Sequence, residues 1–191
     1  SYYEKGLEIY DSHKNEVNTI LTDFLLENNS LSGTQIMENW FPEIDAHIFL
    51  SHSHNDERKA IILAGILFDK FGIKTFIDSC IWGYSNDLLR QIDDSYCLNT
   101  GGETYSYTKR NYSTSHVNLM LTTALNRMID NCECVFFLNT PNAISSNEVV
   151  SSTKSPWIYS EIATTQIIRK KTPQRLKRQI KMFAEGGQLN E

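Results

Sequence analysis

Three short apolar runs, each rich in aromatic and β-branched residues, constrain this chain more than any other feature: AHIFLS at 46–51, IKTFID at 73–78 and CVFFLN at 134–139. Runs of that length with little polar alternation read as strands buried on both faces. Between the first two lies DERKAIILAGILFDKFG (56–72), a helix with acidic residues in its first turn and a glycine stop. Strand, helix and strand within about 30 residues make a parallel βαβ unit. Amphipathic patterns at 115–132 and 156–170 flank the third run and continue the alternation. The expected fold is α/β: an open parallel sheet with helices on both faces, a flavodoxin-like three-layer arrangement.

Two segments fall outside that alternation. Residues 2–28 place Leu7, Tyr10, Val17, Ile20, Leu21, Phe24 and Leu25 at helical spacing and read as one or two helices. A loop at 28–33 follows, and Thr34 caps a short helix through Trp40. Residues 1–43 are thus an N-terminal helical extension, suited to packing or oligomerisation, and 44–191 are the α/β domain. The second segment runs from 79 to 114 and holds a short helix at 86–95 and a loop rich in glycine and tyrosine. Loops of that length are usually functional or mobile. Beyond Lys171 only QIKMFA (179–184) could add a strand, so either the sheet is small or the domain continues past this sequence.

With 40% apolar and 21% charged residues the chain has the balance of a folded domain. No apolar run approaches the roughly 18–20 residues that span a bilayer, and the N-terminus lacks a basic-then-apolar signal pattern. The expectation is a cytoplasmic protein without a membrane partner. Four cysteines (Cys80, Cys97, Cys132, Cys134) form no C-x-x-C pair, which argues against disulfides and zinc. The net charge is −5, yet RKKTPQRLKRQIK (169–181) carries seven basic residues and no acidic one. That segment is either a solvated helix face or a phosphate- or partner-binding patch; no nucleic-acid partner is expected.

In open α/β sheets ligands bind outside the carboxyl ends of the strands. That rule selects Ser51, His52 and Ser53 after the first strand, Asp78 after the second and Asn139 after the third. In SPWIYSE (155–161), Ser155 is a helix cap and Pro156 suits the first helical position, so Trp157 and Glu161 share one face. An aromatic plate beside a carboxylate fits a planar cationic substrate, and it equally fits a core aromatic beside a surface charge. SHSHND (51–56) is a pocket loop or a polar turn in which Asn55 or Asp56 caps the next helix. Asp78 either faces the pocket or caps its loop. His52-x-His54 lacks a third ligand, so no metal is expected. His47 reads as a satisfied strand histidine. Trp82, in a glycine-bearing loop, is a lid anchor or a ligand contact. His116, at a helix start, reaches the pocket or serves in capping and packing. Hydrolase-elbow, P-loop and dinucleotide fingerprints are absent, which leaves chemistry that one carboxylate can carry.

Three of these stretches carry a family resemblance. DAHIFLSHSHND resembles the opening strand and loop of Toll/interleukin-1 receptor (TIR) domains, FGIKTFID resembles their second strand, and SPWIYSE is similar to their Trp-x-x-x-Glu helix start. The order matches, and the resemblance spans about residues 44–170. It implies an NAD-cleaving enzyme of bacterial antiphage defence, with NAD as substrate and no cofactor. Glu161 would be catalytic, with Ser51, His52, Asp78, Trp82, Trp157 and His116 around the substrate. It further implies activity that depends on homo-oligomeric TIR–TIR assembly, and a product read by a separate effector protein. The segment at about 95–115 departs from ordinary TIR domains and bears on acceptor specificity.

The chemistry is consistent with those residue types. Nicotinamide leaves NAD as a neutral base, so the reaction needs stabilisation of an oxocarbenium-like ribose rather than an acid, and a carboxylate supplies it. Water as acceptor gives ADP-ribose; attack from within the same molecule gives a cyclic ADP-ribose, and Tyr96, Tyr105, Tyr107 and Tyr112 either exclude water or are structural. Two other classes compete: a non-catalytic TIR interaction module, and a nucleoside transferase of similar fold that also sets a glutamate against ribose.

Overall fold

The computed structural model describes residues 1–27, 44–83, 85–102, 104–143, 156–168, 172–173 and 176–177. The expected cap Ser155, the loop at 28–33, the helix from Thr34 to Trp40, the run at 179–184 and most of the basic segment lie outside these residues.

The centre of the fold is a parallel sheet of three strands, β1 (Ile48–Ser51), β2 (Thr75–Ile77) and β3 (Cys134–Phe137), in the order β2-β1-β3. Ile48 pairs with Thr75 on one side and Cys134 on the other, so the three carboxyl ends come level. The ladder continues just past the strands: Asp78 N–H donates to Leu50 O at 3.1 Å and Leu138 N–H to Ser51 O at 2.9 Å. Every residue of β1 and β2 is buried, as apolar runs in a helix-covered parallel sheet require. The expectation of burial on both faces fails for β3, where Cys134 and Phe136 are exposed. Among the described residues β3 is an edge strand of the sheet.

Helices flank the sheet. The first, α1 (Tyr2–Glu27), is one continuous helix packed on α2 (Glu57–Phe71). The crossing is close because both helices present glycine: a Cβ on Gly6 would stand 1.9 Å from Ile61 O, and one on Gly65 would stand 1.9 Å from Tyr2 O. Tyr10 then ties α1 to the sheet layer. Its hydroxyl donates to Glu57 Oε2 (3.1 Å) and accepts from Ser79 Oγ (3.2 Å). The glycine stop of α2 forms as expected. Gly72 adopts φ +64, and Gly72 N–H and Ile73 N–H close on Phe68 O and Leu67 O.

After β2 come α3 (Ser79–Trp82), α4 (Ser85–Ile92) and a π turn, Asp93–Cys97. The following helix, α5 (Tyr107–Asn131), begins eight residues before the expected 115. Ser106 accounts for the early start: its side chain accepts from Lys109 N–H and caps the first turn, in a stretch too polar to display apolar periodicity. The last helix is α6 (Pro156–Ile167). Between these layers Phe49, Leu50, Phe76, Ile77, Leu121, Leu125 and Met128 are wholly buried, each worth about 1.5–3 kcal/mol of transfer free energy.

Candidate active site

Level strand ends bring Ser51, His52 and Asp78 to one rim, and α6 delivers Glu161 to it from 110 residues further along the chain. Ser51 Oγ donates to Glu161 Oε2. Asp78 accepts from the His52 backbone N–H at 3.1 Å through Oδ2, while its Oδ1 lies against His52 Nδ1, too oblique for a hydrogen bond. Asp78 also abuts Glu161. The four side chains form one contiguous cluster, and each is at most 2% exposed.

Such a cluster is costly unless its atoms are paired. Several are not: Glu161 Oε1 and His52 Nε2 are buried without a hydrogen-bond partner among the described residues. Burial raises the Glu161 carboxyl well above the usual range, and the Asp78 carboxylate beside it adds to the rise; the Ser51 hydrogen bond works in the other direction. The neutral form of Glu161 is therefore favoured more than in an ordinary carboxyl group. Arrival of a cation would reverse that preference.

Glu161 and Ser51 also reach the wall of a groove of about 520 Å3 that runs beside β3, between the end of α5 and α6. Ile162, Thr165 and Ile168 line it from the α6 side. On the opposite flank of the cluster Trp82 stands against His52 and His54, with ring centroids 5.8 and 5.4 Å away.

Not every residue selected from the sequence joins this cluster. Trp157 is half-buried against the hydrophobic core and lies outside the lining of the groove that Glu161 reaches. His116 is exposed on α5 and lines a different cavity with Tyr96 and Tyr112. His47 is satisfied as a strand histidine, its Nδ1 accepting from Lys74 N–H at 3.0 Å. Among the described residues, no group of three His, Cys, Asp or Glu side chains is placed to hold a metal ion.

Asp56 corrects an expectation. It precedes α2 but makes no capping hydrogen bond. Its buried carboxylate instead accepts from Lys59 Nζ (2.6 Å), Thr140 Oγ1 and Asn142 Nδ2 (3.0 Å), tying the loop after β1 to the loop after β3. Burial opposes its ionisation, and these hydrogen bonds outweigh burial and hold the carboxyl below its usual range. No local pattern signals this tie, whose loop partners Thr140 and Asn142 lie 84 and 86 residues from Asp56. Asp78, the other residue read as a possible cap, likewise makes no cap hydrogen bond.

Comparison with protein-family models, with curated proteins and with solved structures finds no match. Among the described residues no helix is long and apolar enough to cross a membrane.

Proposed function

We propose that this chain is a TIR-type enzyme of flavodoxin-like topology that cleaves the nicotinamide–ribose bond of NAD. One observation carries the reading: Glu161 is buried at the carboxyl end of β1, hydrogen-bonded by Ser51, set against Asp78 and left with an oxygen that has no hydrogen-bond partner among the described residues. A buried acid with a free oxygen beside a groove is poised for a developing cation.

In the reaction the bond between ribose C1′ and the pyridinium nitrogen breaks, and its electron pair stays on nicotinamide, which departs neutral. The ribosyl centre becomes oxocarbenium-like. Where Glu161 is protonated, its proton passes to the adjacent Asp78 carboxylate as the cation develops, and the Glu161 carboxylate then stabilises the ribosyl centre more than the intact substrate. Capture by water yields ADP-ribose and a proton; capture by a nucleophile of the same molecule yields a cyclic ADP-ribose. Of the two indoles, Trp82 stands against His52 of the cluster whereas Trp157 packs on the core, and neither lines the groove that Glu161 reaches. Ser51 and Asp78 act by holding Glu161 and the His52 backbone. In this reading the product is a defence signal for a separate effector, and the active form is a homo-oligomer.

The test is incubation of the purified chain with NAD at high and low protein concentration, following nicotinamide and every adenine-containing product by chromatography. Nicotinamide release, steeper than proportional to protein concentration, is expected. A chain inert at all concentrations would favour the interaction module. Release of free base from nucleosides with NAD untouched would favour the transferase.

A further inference from the structure

A second cavity, of about 440 Å3, opens between the π turn and the first turns of α5, and none of its lining residues belongs to the Glu161 cluster. Its floor is aliphatic, built from Ile92, Val117 and Met120, all buried. Two aromatic rings stand at its rim, Tyr96 (41% exposed) and Tyr112 (67% exposed). Exposed tyrosines over an aliphatic floor offer flat, water-accessible faces that the fold itself does not use.

Among the described residues, the side chains that line this cavity include a lysine and no acid. Lys109 lines it and makes no ion pair among the described residues, and His116 stands one helical turn beyond Tyr112. The cavity also borders the N-terminal turns of α5, where the helix dipole favours anions. The buried acid Asp93, behind the lining residue Ser113, is engaged: its carboxylate accepts from Arg110 Nε and Ser113 Oγ, both at 2.8 Å. Asp94 is engaged by the Tyr105 hydroxyl. Burial pushes the Cys97 thiol up, so it adds no negative charge. The volume lies within the range of about 300–1,000 Å3 typical of small-molecule sites.

We propose that this cavity is an accessory binding site for a planar aromatic acid, its ring between Tyr96 and Tyr112 over the aliphatic floor and its anionic group at Lys109. The site is independent of the NAD reading and stands or falls separately.

Fluorescence titration of the full chain with 8-anilinonaphthalene-1-sulfonate tests it, with the uncharged N-phenyl-1-naphthylamine as the comparison. Wild type is expected to bind the sulfonate saturably, one per chain, and more tightly than the neutral dye. Lys109→Glu should weaken sulfonate binding about fivefold, since the contact is an exposed charge pair, and leave the neutral dye unaffected. Tyr112→Ala should weaken both dyes about tenfold through lost stacking. Both side chains are exposed, so both variants are expected to keep the wild-type circular dichroism spectrum and melting temperature. Absence of saturable binding overturns the proposal, as does a sulfonate affinity that either substitution leaves unchanged. A neutral dye bound as tightly as the sulfonate overturns its anionic part.

Discussion

His13 is predicted to make the docking of α1 sensitive to acid. The side chain is buried on α1, tilted against the Phe76 ring at 5.7 Å between centroids, and its Nδ1 has no hydrogen-bond partner among the described residues. Burial, with a smaller contribution from the Lys74 ammonium, lowers its pKa from 6.5 to about 4. Above pH 6.5 both folded and unfolded chains carry the neutral ring, and stability is unaffected. Between 6.5 and about 4 only the unfolded chain takes up the proton, so stability falls as pH falls. At about 1.4 kcal/mol per pH unit, the full drop is about 3 kcal/mol, of which about 2 kcal/mol is already lost at pH 5. Urea denaturation of wild type and His13→Leu at pH 7 and pH 5 reads this directly. The two proteins share all other titrations, so the wild type should lose about 2 kcal/mol more than the variant over that interval. Parallel losses would refute the reasoning. A wild type that gains on the variant would show that the imidazolium finds a carboxylate, for which Glu16, on the same groove wall, is the nearest candidate on the helix.

Three further outcomes follow from the geometry. Gly65→Ala should force α1 away from α2 and cost about 3 kcal/mol in urea denaturation, because the new methyl meets a backbone carbonyl that cannot move alone; a cost below about 1 kcal/mol would mean that the helices part easily. Asp56→Ala should cost about 2 kcal/mol and expose the 139–143 loop to limited proteolysis, since three donors lose a charged acceptor; unchanged cleavage would sever the link between the two loops. The acid limb of kcat/KM for NAD cleavage should lie above 4.5, because Glu161 must ionise from a raised pKa to meet the cation; an activity already at its plateau by about pH 5 would remove Glu161 from that role.

The framework was legible because it is carried by local patterns. The three apolar runs, the Gly72 stop and the polar residues just beyond each run declare parallel strands and their carboxyl ends within a few residues of sequence. The pairing of Ser51 with Glu161 was anticipated only as a shared rim, since the contact itself needs α6 to be placed. What stayed hidden depends on contacts between distant residues or on weak patterns. Asp56 looks like a cap because Asp before a helix usually is one, and its true partners lie beyond any local window. The early start of α5 is masked by TKRNYSTS, a stretch whose polarity hides its period, although Ser106 marks the cap. The exposed face of β3 is invisible in CVFF, because an edge strand and a central one can share that composition. Trp157 and Glu161 do share a helix, but the helix gives the indole to the core and the acid to the cluster.

Replacing Glu161 with glutamine isolates the central claim. Burial raises the pKa of this carboxyl well above the usual range and so favours its neutral form, which the amide resembles in shape and charge; Glu161→Gln is expected to keep the wild-type fold and melting temperature. What the amide cannot do is become an anion as the ribose loses its base. Nicotinamide release from NAD should therefore fall by on the order of a hundredfold or more in a chain that remains folded. A folded Glu161→Gln chain that releases nicotinamide at the wild-type rate would contradict the account.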